Sequence, residues 1–559
     1  MRTLLTLLIT LLATCATLAQ ENPNLKYYYP VPRANPPQNL QLDLAVYGGT
    51  PGGVTAAVQA ARMGKKSAIF SFNKFVGGLT SGGLSATDVG KPASIGGIAK
   101  EFYGRAGKIV GFKPSEAEEM FLAMLKEANV PVYYDHRLES LDKQGARITK
   151  ITFENGNTVE AKMFVDATYE GDLFAAAGVT YHIGRESNAT YSETINGVEF
   201  KPGHNFNYPV DPYAKEGDAA SGLLWGISND PNPGKAGEGD RKIQAYNFRM
   251  FLSNKADKIP FPKPANYDAS KYQLLLRYLL KKPDLKWSFS YKDGPFQLQN
   301  GDCNNAGGFS TDLIGGNYRW PDGHYEPGAS ADPSKPSTAP KISFKELYEL
   351  REKLFQDHVT YQQGLMYFMA NDPAVPQELR DRVNQFGLTG DQFATTGHWP
   401  HQLYIREGRR MISDYVMTEA NCRGKTLAED PIGLASYGMD SHHCQRLVVQ
   451  ANGKKVVKNE GNVEVPVAGP YPVAYRSIVP KQAECENLLV PVCLSSTHMS
   501  YGSIRMEPVF MMLGQSAGTA AVMAIDTNIP VQKVEYPKLK ERLLADKQVL
   551  EWTKEMGKK

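Results

Sequence analysis

The chain is 559 residues long, 42% hydrophobic and 22% charged, with a formal net charge of +3. That length supplies roughly two to four domain-sized units and ample apolar material for a large core. The near-balanced charge, without a basic stripe interleaved with aromatics, argues against nucleic acid as a partner, while 29 tyrosines suit a surface that stacks on small, sugar-like molecules.

The first segment, MRTLLTLLITLLATCATLAQ, places Arg2 before a leucine run that ends in Thr17-Leu18-Ala19. It reads as a secretory signal peptide over residues 1–19, so an exported protein, periplasmic or secreted, is expected. The run is shorter than the roughly 18 apolar residues of a membrane span, and no stable span is expected. Thr14 is bulky for the position before a lipid-bearing Cys15. Five further cysteines, Cys303, Cys422, Cys444, Cys485 and Cys493, show no C-x-x-C spacing. Neither a zinc site nor a redox dithiol is indicated, and buried inert thiols are expected.

Residues 20–41, rich in Pro and Asn, read as an extended linker. From Leu42 the pattern alternates: strand 43–47, glycine loop, helix 52–63 stopped by Gly64, strand 67–71. A helix over 115–128 leads to the strand VPVYY, and RITKITFENGNTVEAKMFVDAT reads as a hairpin with Asn155-Gly156 at its tip. Strands separated by helices imply a parallel sheet, with residues 42–185 as its first part. Over 186–400 Gly, Pro, Asn and aromatics dominate, with helical patches at 269–280, 343–369 and 376–386, as in an inserted substrate or cap domain. Sheet-domain patterning returns over 401–535, where IREGRRMISDYVM has helical spacing and a further helix runs from about Pro508 to Asp526; residues 536–559 form a C-terminal helix and tail.

The strand DLAVY runs into Gly48-Gly49-Thr50-Pro51-Gly52-Gly53 and an alanine-rich helix. Gly48 and Gly53 fill the first and third glycine roles of G-x-G-x-x-G, where a helix N-terminus receives a pyrophosphate. Thr50 stands at the second. Pro51 pushes it toward extended geometry, so its side chain either points away from a ligand or offers a hydroxyl to phosphate. A ribose-binding carboxylate is expected about 20 residues on, yet no Asp or Glu lies between Asp43 and Asp88. Ser71, Asn73 and Lys74 stand there instead and could admit a 2′-phosphate, so NADP competes at this point. FVGGLTSGGLSATD, with Gly78 and Ser81, lets backbone lie against a flat ligand. FVDATYEGDLFAAAG supplies Asp166, Glu170 and Asp172 as acceptors for ribityl hydroxyls, and YGSIRMEPVFMMLGQSAGTAA a second loop and small-residue helix able to hold negative charge on a flavin.

Together VYGGTPGGVTAA, VGGLTSGGLSATD, FVDATYEGDLFAAAGV, GEGDRKIQAYNFR, QLYIREGRRMISDYVMT, YGMDSHHCQR and SSTHMSYGSIRMEPVFMMLGQSAGTAA cover nearly the whole mature chain. In that order they resemble the FAD-dependent oxidoreductases with a glutathione-reductase-type FAD domain, in a secreted bacterial branch often labelled xanthan-lyase-like. The resemblance implies an α/β fold: a Rossmann-like FAD-binding domain, with a parallel sheet, helices and a small antiparallel sheet, interrupted by an α+β substrate domain. It also implies that Gly48, Gly49, Gly53, Gly78, Asp172, Gly514 and Gln515 surround FAD, with His498 and Arg505 near the isoalloxazine. The branch tolerates Thr50; Ser71 departs from its usual Glu.

Hydride transfer from an alcohol or amine needs a base, for which histidine is apt. His498 precedes the last flavin motif, and Arg505 either binds a substrate oxyanion or pairs with Glu507. In DSHHCQR, His442 is the preferred histidine, with Arg446 four residues on. Of Arg406, Glu407, Arg409 and Arg410, read as one helix, Arg406 is the best placed to face a ligand and the rest are solvated or structural. His398, Trp399 and His401 read as a surface loop or the wall of a sugar pocket. No metal site is expected, and no nucleophile–base pair supports hydrolysis. The expected function is hydride transfer between FAD and a carbohydrate or polyol, with an unidentified electron acceptor. The alternatives are a reductase of a C=C or keto group fed by an external donor, and a cofactor-less sugar-binding protein.

Overall fold

The computed structural model describes residues 22–84, 88–230, 232–281, 304–305, 307–326, 342–553 and 555–558. The expected signal peptide, Cys15 and Cys303 lie outside them. Leu44 to Tyr47 are buried without alternation, as suits a strand covered on both faces. They end β1 (Asn39–Tyr47), which begins inside the stretch read as linker because its register with the sixth strand starts at Asn39 opposite Thr158. The other strands of the main sheet are β2 (Ser67–Phe70), β3 (Val132–Tyr133), β4 (Leu138–Gln144), β5 (Arg147–Phe153) and β6 (Thr158–Asp166).

Their spatial order is β3-β2-β1-β6-β5-β4. β1 runs parallel to β2 and β6, β3 runs parallel to β2, and β4-β5-β6 form an antiparallel meander around the Asn155-Gly156 turn. A short strand, Leu488–Leu489, adds parallel to the end of β6. The architecture is α/β. In register, Tyr47 stands opposite both Phe70 and Asp166, so the loops leaving β1, β2 and β6 emerge side by side. The carboxyl edge of such a sheet is where α/β folds place ligands.

Helix α1 (Pro51–Arg62) starts where the sequence dictates, with Thr50 as N-cap and proline in its first turn, and stops before Gly64. It packs against the helix Glu507–Thr527 with almost no side-chain spacer. A Cβ on Gly514 would lie 2.0 Å from Gly52 O, and one on Gly518 2.4 Å from Ala56 O. Glu507–Thr527 is long and apolar enough to cross a membrane, but 89% of its most apolar window is buried in the protein. It is a core helix. The middle block mixes the helices Gln273–Lys281, Phe344–Asn371 and Gln377–Asn384 with short strands such as Tyr213–Lys215 and Asp218–Leu223.

IREGRRMISDYVM is not a helix. Arg409–Met411 is a strand antiparallel to Tyr181–Ile183, and the N–H groups of Met411 and Ile412 bond Cys493 O and Thr180 O. The apolar spacing fits a helix, but tertiary partners on both sides take the backbone groups first. Cys422, Cys444, Cys485 and Cys493 are free and buried. Burial pushes the Cys422 and Cys485 thiols up to about 11.

A methyl group at Gly514 must separate the two core helices, so Gly514→Ala is expected to cost about 1–3 kcal/mol of stability by overpacking. Chemical denaturation checks this, with the exposed helical Gly104, which has no atom within 4 Å of its added Cβ, as the comparison site.

Candidate functional site

The loop after β1 is shaped by its glycines. Gly48 adopts φ +113°, where a Cβ would lie 2.7 Å from Ala167 C, and a Cβ on Gly53 would lie 2.1 Å from Gly48 O. Thr50 Oγ1 donates to Ala167 O at 2.6 Å and accepts from Gly53 N at 3.3 Å. Of the two roles open to it, the structure takes the inward one: Thr50 caps the helix and ties it to the end of β6.

A cleft opens above this loop, lined by Gly48, Gly49, Thr50, Ser71, Asn73 and Gly78 together with Phe72, Tyr169, Glu170 and His401. Six of the cofactor candidates thus come together. Ser71 Oγ donates to Phe75 O at 3.0 Å and Asn73 Oδ1 accepts from Phe75 N at 3.0 Å, so both hold the turn after β2. Gly78 is needed because a Cβ would meet the Tyr169 hydroxyl at 2.3 Å. The cleft is small, about 50 Å³.

The remaining cofactor candidates stand elsewhere. Ser81 Oγ bonds Val76 O. Asp166 accepts from Thr168 Oγ1 at 2.6 Å and Phe174 N at 3.0 Å, which fixes the turn after β6; burial pushes its carboxyl up to about 6. Asp172 receives Arg351 through both oxygens, at 2.6 and 2.9 Å, and Arg409 at 2.6 Å. Burial opposes its charge, but the two guanidinium groups prevail and hold it below the usual carboxylate range. Gly514 faces Gly52, and Gln515 Oε1 accepts from Ile98 N at 2.7 Å. The expectation from sequence is that no G-x-S-x-G elbow is present, yet Gly514 to Gly518 has that spacing. It lies inside a helix, with Ser516 Oγ given to Ile432 O at 2.7 Å, so it forms no exposed nucleophile turn.

Two of the four catalytic candidates, His442 through its main-chain N–H and Arg505, bond Gln244, which sequence reading did not single out, and a third, His498, reaches it through Glu407. Gln244 Oε1 accepts from His442 N at 3.1 Å and Arg505 Nη1 at 2.9 Å, and its Nε2 donates to Glu407 Oε2 at 2.8 Å. Each histidine has a carboxylate on Nδ1: His442 has Asp312 and His498 has Glu407, both at 2.7 Å. That pairing assigns the proton to Nδ1 and leaves Nε2 as the acceptor in the neutral ring. Burial drives His498 down to about 3, and burial with the nearby Arg406 charge lowers His442. Both rings are neutral at pH 7. Asp312 resists its own burial because Arg406, at 3.1 Å, and His442 favour the anion.

Arg505 does not pair with Glu507. It binds Asp440 Oδ2 at 3.1 Å, whereas Glu507 accepts from Tyr169 Oη at 2.8 Å and Thr80 Oγ1 at 3.3 Å. Arg446 belongs to another cluster, bonding Asn459 Oδ1 at 2.9 Å and lying 4.7 Å over the Phe309 ring. Arg406, Glu407, Arg409 and Arg410 are all buried, and Arg410 joins Glu407 to Glu186. Trp399 is buried too, while His401 stacks on Phe75 at 3.6 Å in the cleft wall. Gln244 and Asp312 sit in the loop-rich block without motif spacing; their one signal is a polar residue in a stretch of buried neighbours.

Burial pushes the Glu507 carboxyl from 4.5 up to about 8, so the folded protein holds a proton there at neutral pH. Its raised value contributes stability below about pH 4.5 that is lost as pH rises through about 8. In Glu507→Gln, which mimics the protonated acid, that loss is absent. The melting temperature of the variant relative to the native chain is expected to rise between about pH 5 and about pH 9. A pH-independent difference would show the carboxyl to be ionised.

A family model described as FAD dependent oxidoreductase matches residues 43–543. No curated protein matches the chain. Among solved structures, Thermovibrio ammonificans THI4 is 21% identical with a TM-score of 0.22, over 26% of this chain and 66% of that one. Thioredoxin reductase from Streptococcus pyogenes is 22% identical with a TM-score of 0.17, over 23% of this chain and 35% of that one. An oxidized steroid monooxygenase bound to NADP is 20% identical with a TM-score of 0.19, over 23% and 26%. These likenesses touch about a quarter of the chain, whereas the family match runs from β1 past the second core helix: the chain belongs to the FAD-dependent oxidoreductase family.

Proposed function

We propose that this oxidoreductase is exported and oxidises a hydroxyl-bearing small molecule, a carbohydrate or polyol, at the buried cluster around Gln244. The observation that carries the reading is the pair of neutral histidines, each held by a carboxylate on Nδ1, with Gln244 bridging the main-chain N–H of His442 to Glu407, the carboxylate that holds His498. A neutral, oriented imidazole is the group that takes a proton from a substrate hydroxyl. Two buried guanidinium N–H groups of the same cluster, Arg406 Nε and Arg505 Nε, find no acceptor among the described residues. Buried donors of this kind suit a ligand rich in oxygen acceptors. Export rests on the leader-like first 19 residues.

FAD is the cofactor of the family, and the residues fit it only in part. The glycine turn and the start of α1 suit a pyrophosphate. The cleft above them, at about 50 Å³, is far below the roughly 300–1,000 Å³ of ligand pockets. A cleft of that volume does not enclose the adenosine half of FAD.

Protein reconstituted with FAD is expected to lose its yellow colour when a member of a sugar and polyol panel is added without oxygen. His442→Ala and His498→Ala identify the base: the variant lacking it should lose about 10²–10⁴-fold in turnover. Because burial lowers both rings, activity should persist below pH 6.5, failing only when the acting imidazole protonates. No bleaching by any hydroxyl compound, with bleaching reversed by a C=C or keto compound after chemical reduction, would assign the opposite direction of reaction.

A further inference from the structure

The chain's own N-terminal strap runs beside the cleft and touches two of its lining residues, Phe72 and Glu170. Leu25 and Tyr28 are buried, and the strap is tied to the helix Phe344–Asn371. Glu352 Oε2 accepts from the N–H groups of Tyr27 and Tyr28, at 2.7 and 2.8 Å, and Gln356 Nε2 donates to Leu25 O at 2.8 Å. From this anchor the Tyr27 ring stacks on Phe72 with centroids 4.7 Å apart and planes inclined by 28°, and its hydroxyl donates to Glu170 Oε1 at 3.2 Å. Phe72 and Glu170 both line the cleft. The buried Arg137 packs on the same group of rings, its guanidinium 4.4 Å from the Tyr29 ring and 5.2 Å from that of Phe72.

A flat ring stacked on an aromatic face, with a hydroxyl given to a carboxylate at its edge, is how proteins hold a nucleoside. The end of β2 cannot supply that carboxylate, because Ser71 stands there and no acid occurs between Asp43 and Asp88. Glu170, carried on the neighbouring loop after β6, is a carboxylate that does face the cleft. We propose that Tyr27 is an internal occupant of the adenosine end of the cofactor cleft, and that Glu170 is the carboxylate which passes from the Tyr27 hydroxyl to a ribose hydroxyl when FAD enters. Cofactor binding then exchanges one stacked ring for another, and the apparent affinity is reduced by the fraction of molecules in which the strap lies in place. The inference rests on the family's cofactor and is independent of the substrate proposed above.

The test uses the full chain freed of flavin, with FAD, FMN and ADP as probes, followed by quenching of flavin fluorescence and by calorimetry for ADP. Tyr27→Ala should bind FAD and ADP about tenfold more tightly, the equivalent of ~1.4 kcal/mol for one displaced aromatic contact. FMN, which lacks adenosine, should be unaffected. Glu170→Gln should weaken FAD and ADP while leaving FMN unchanged. In the native chain, FAD should increase hydrogen exchange over residues 25–29, a readout that needs no variant to fold. The proposal is overturned if Tyr27→Ala binds FAD equally or more weakly, if FMN gains as much as FAD, or if FAD protects the strap. Binding of FAD by neither protein overturns it together with the flavin-based function, whereas tight FAD binding without sugar-dependent bleaching leaves it standing and removes only the substrate.

Discussion

The close approach of α1 and the helix Glu507–Thr527 is the constraint on which the rest of the molecule depends. At Gly514 and Gly518 the second helix presents bare backbone to Gly52 O and Ala56 O, and Thr55 Oγ1 donates to Met511 O at 2.7 Å across the seam. Each helical glycine costs roughly 0.5–1 kcal/mol in backbone entropy, offset by dispersion contacts that a larger residue would push apart. The geometry has a functional side. α1 begins at the glycine loop, and the second helix follows directly on the segment that carries His498 and Arg505. One seam therefore sets the position of the cleft loop and of the polar cluster together.

The second organising fact is the pairing of buried charge. Arg351 and Arg409 share Asp172, Arg410 spans Glu407 and Glu186, and Arg406 joins His442 on Asp312. Pairs of this kind add little net stability over an apolar core, but stripping away one partner costs about 3–5 kcal/mol. They make the interior intolerant of alternative packings. The two histidines inherit this rigidity, since each is oriented by an acid that is itself held by arginine. An imidazole fixed in this way needs no reorganisation before it accepts a proton.

What the sequence made legible was local. The glycine turn, α1, the Asn155-Gly156 hairpin and the second core helix follow from glycine placement, caps and apolar spacing within a dozen residues. Contacts between distant segments were hidden. Glu407 reaches Gln244 across 163 positions and Asp312 reaches His442 across 130, and no periodicity records such meetings. The same blindness explains why Arg505 looked like a partner for Glu507, two residues away, when its carboxylate is Asp440. The stretch 405–417 was misleading in a different way, because buried ion pairs gave it a polar face that mimics a solvated helix. Thr50 and Ser71 were anomalies of one pattern with different physical outcomes: Thr50 is a helix cap, while Ser71 leaves a real gap in the cleft's acceptors.

The strap's anchor has a consequence of its own. Glu352 grips the segment by two main-chain amides, which every residue except proline possesses. Arg351, its neighbour on the same helix, turns inward to Asp172. Side chains reinforce that grip: Leu25 is buried, the Tyr28 hydroxyl donates to Glu154 Oε1 at 3.1 Å, and the Tyr27 ring packs edge-on against Trp320 with centroids 4.9 Å apart. Arg351 also reaches back, its Nη1 donating to the Tyr27 hydroxyl at 3.4 Å, so a change at that single ring is felt at once by the strap, the cleft acid Glu170 and the core ion pair beneath.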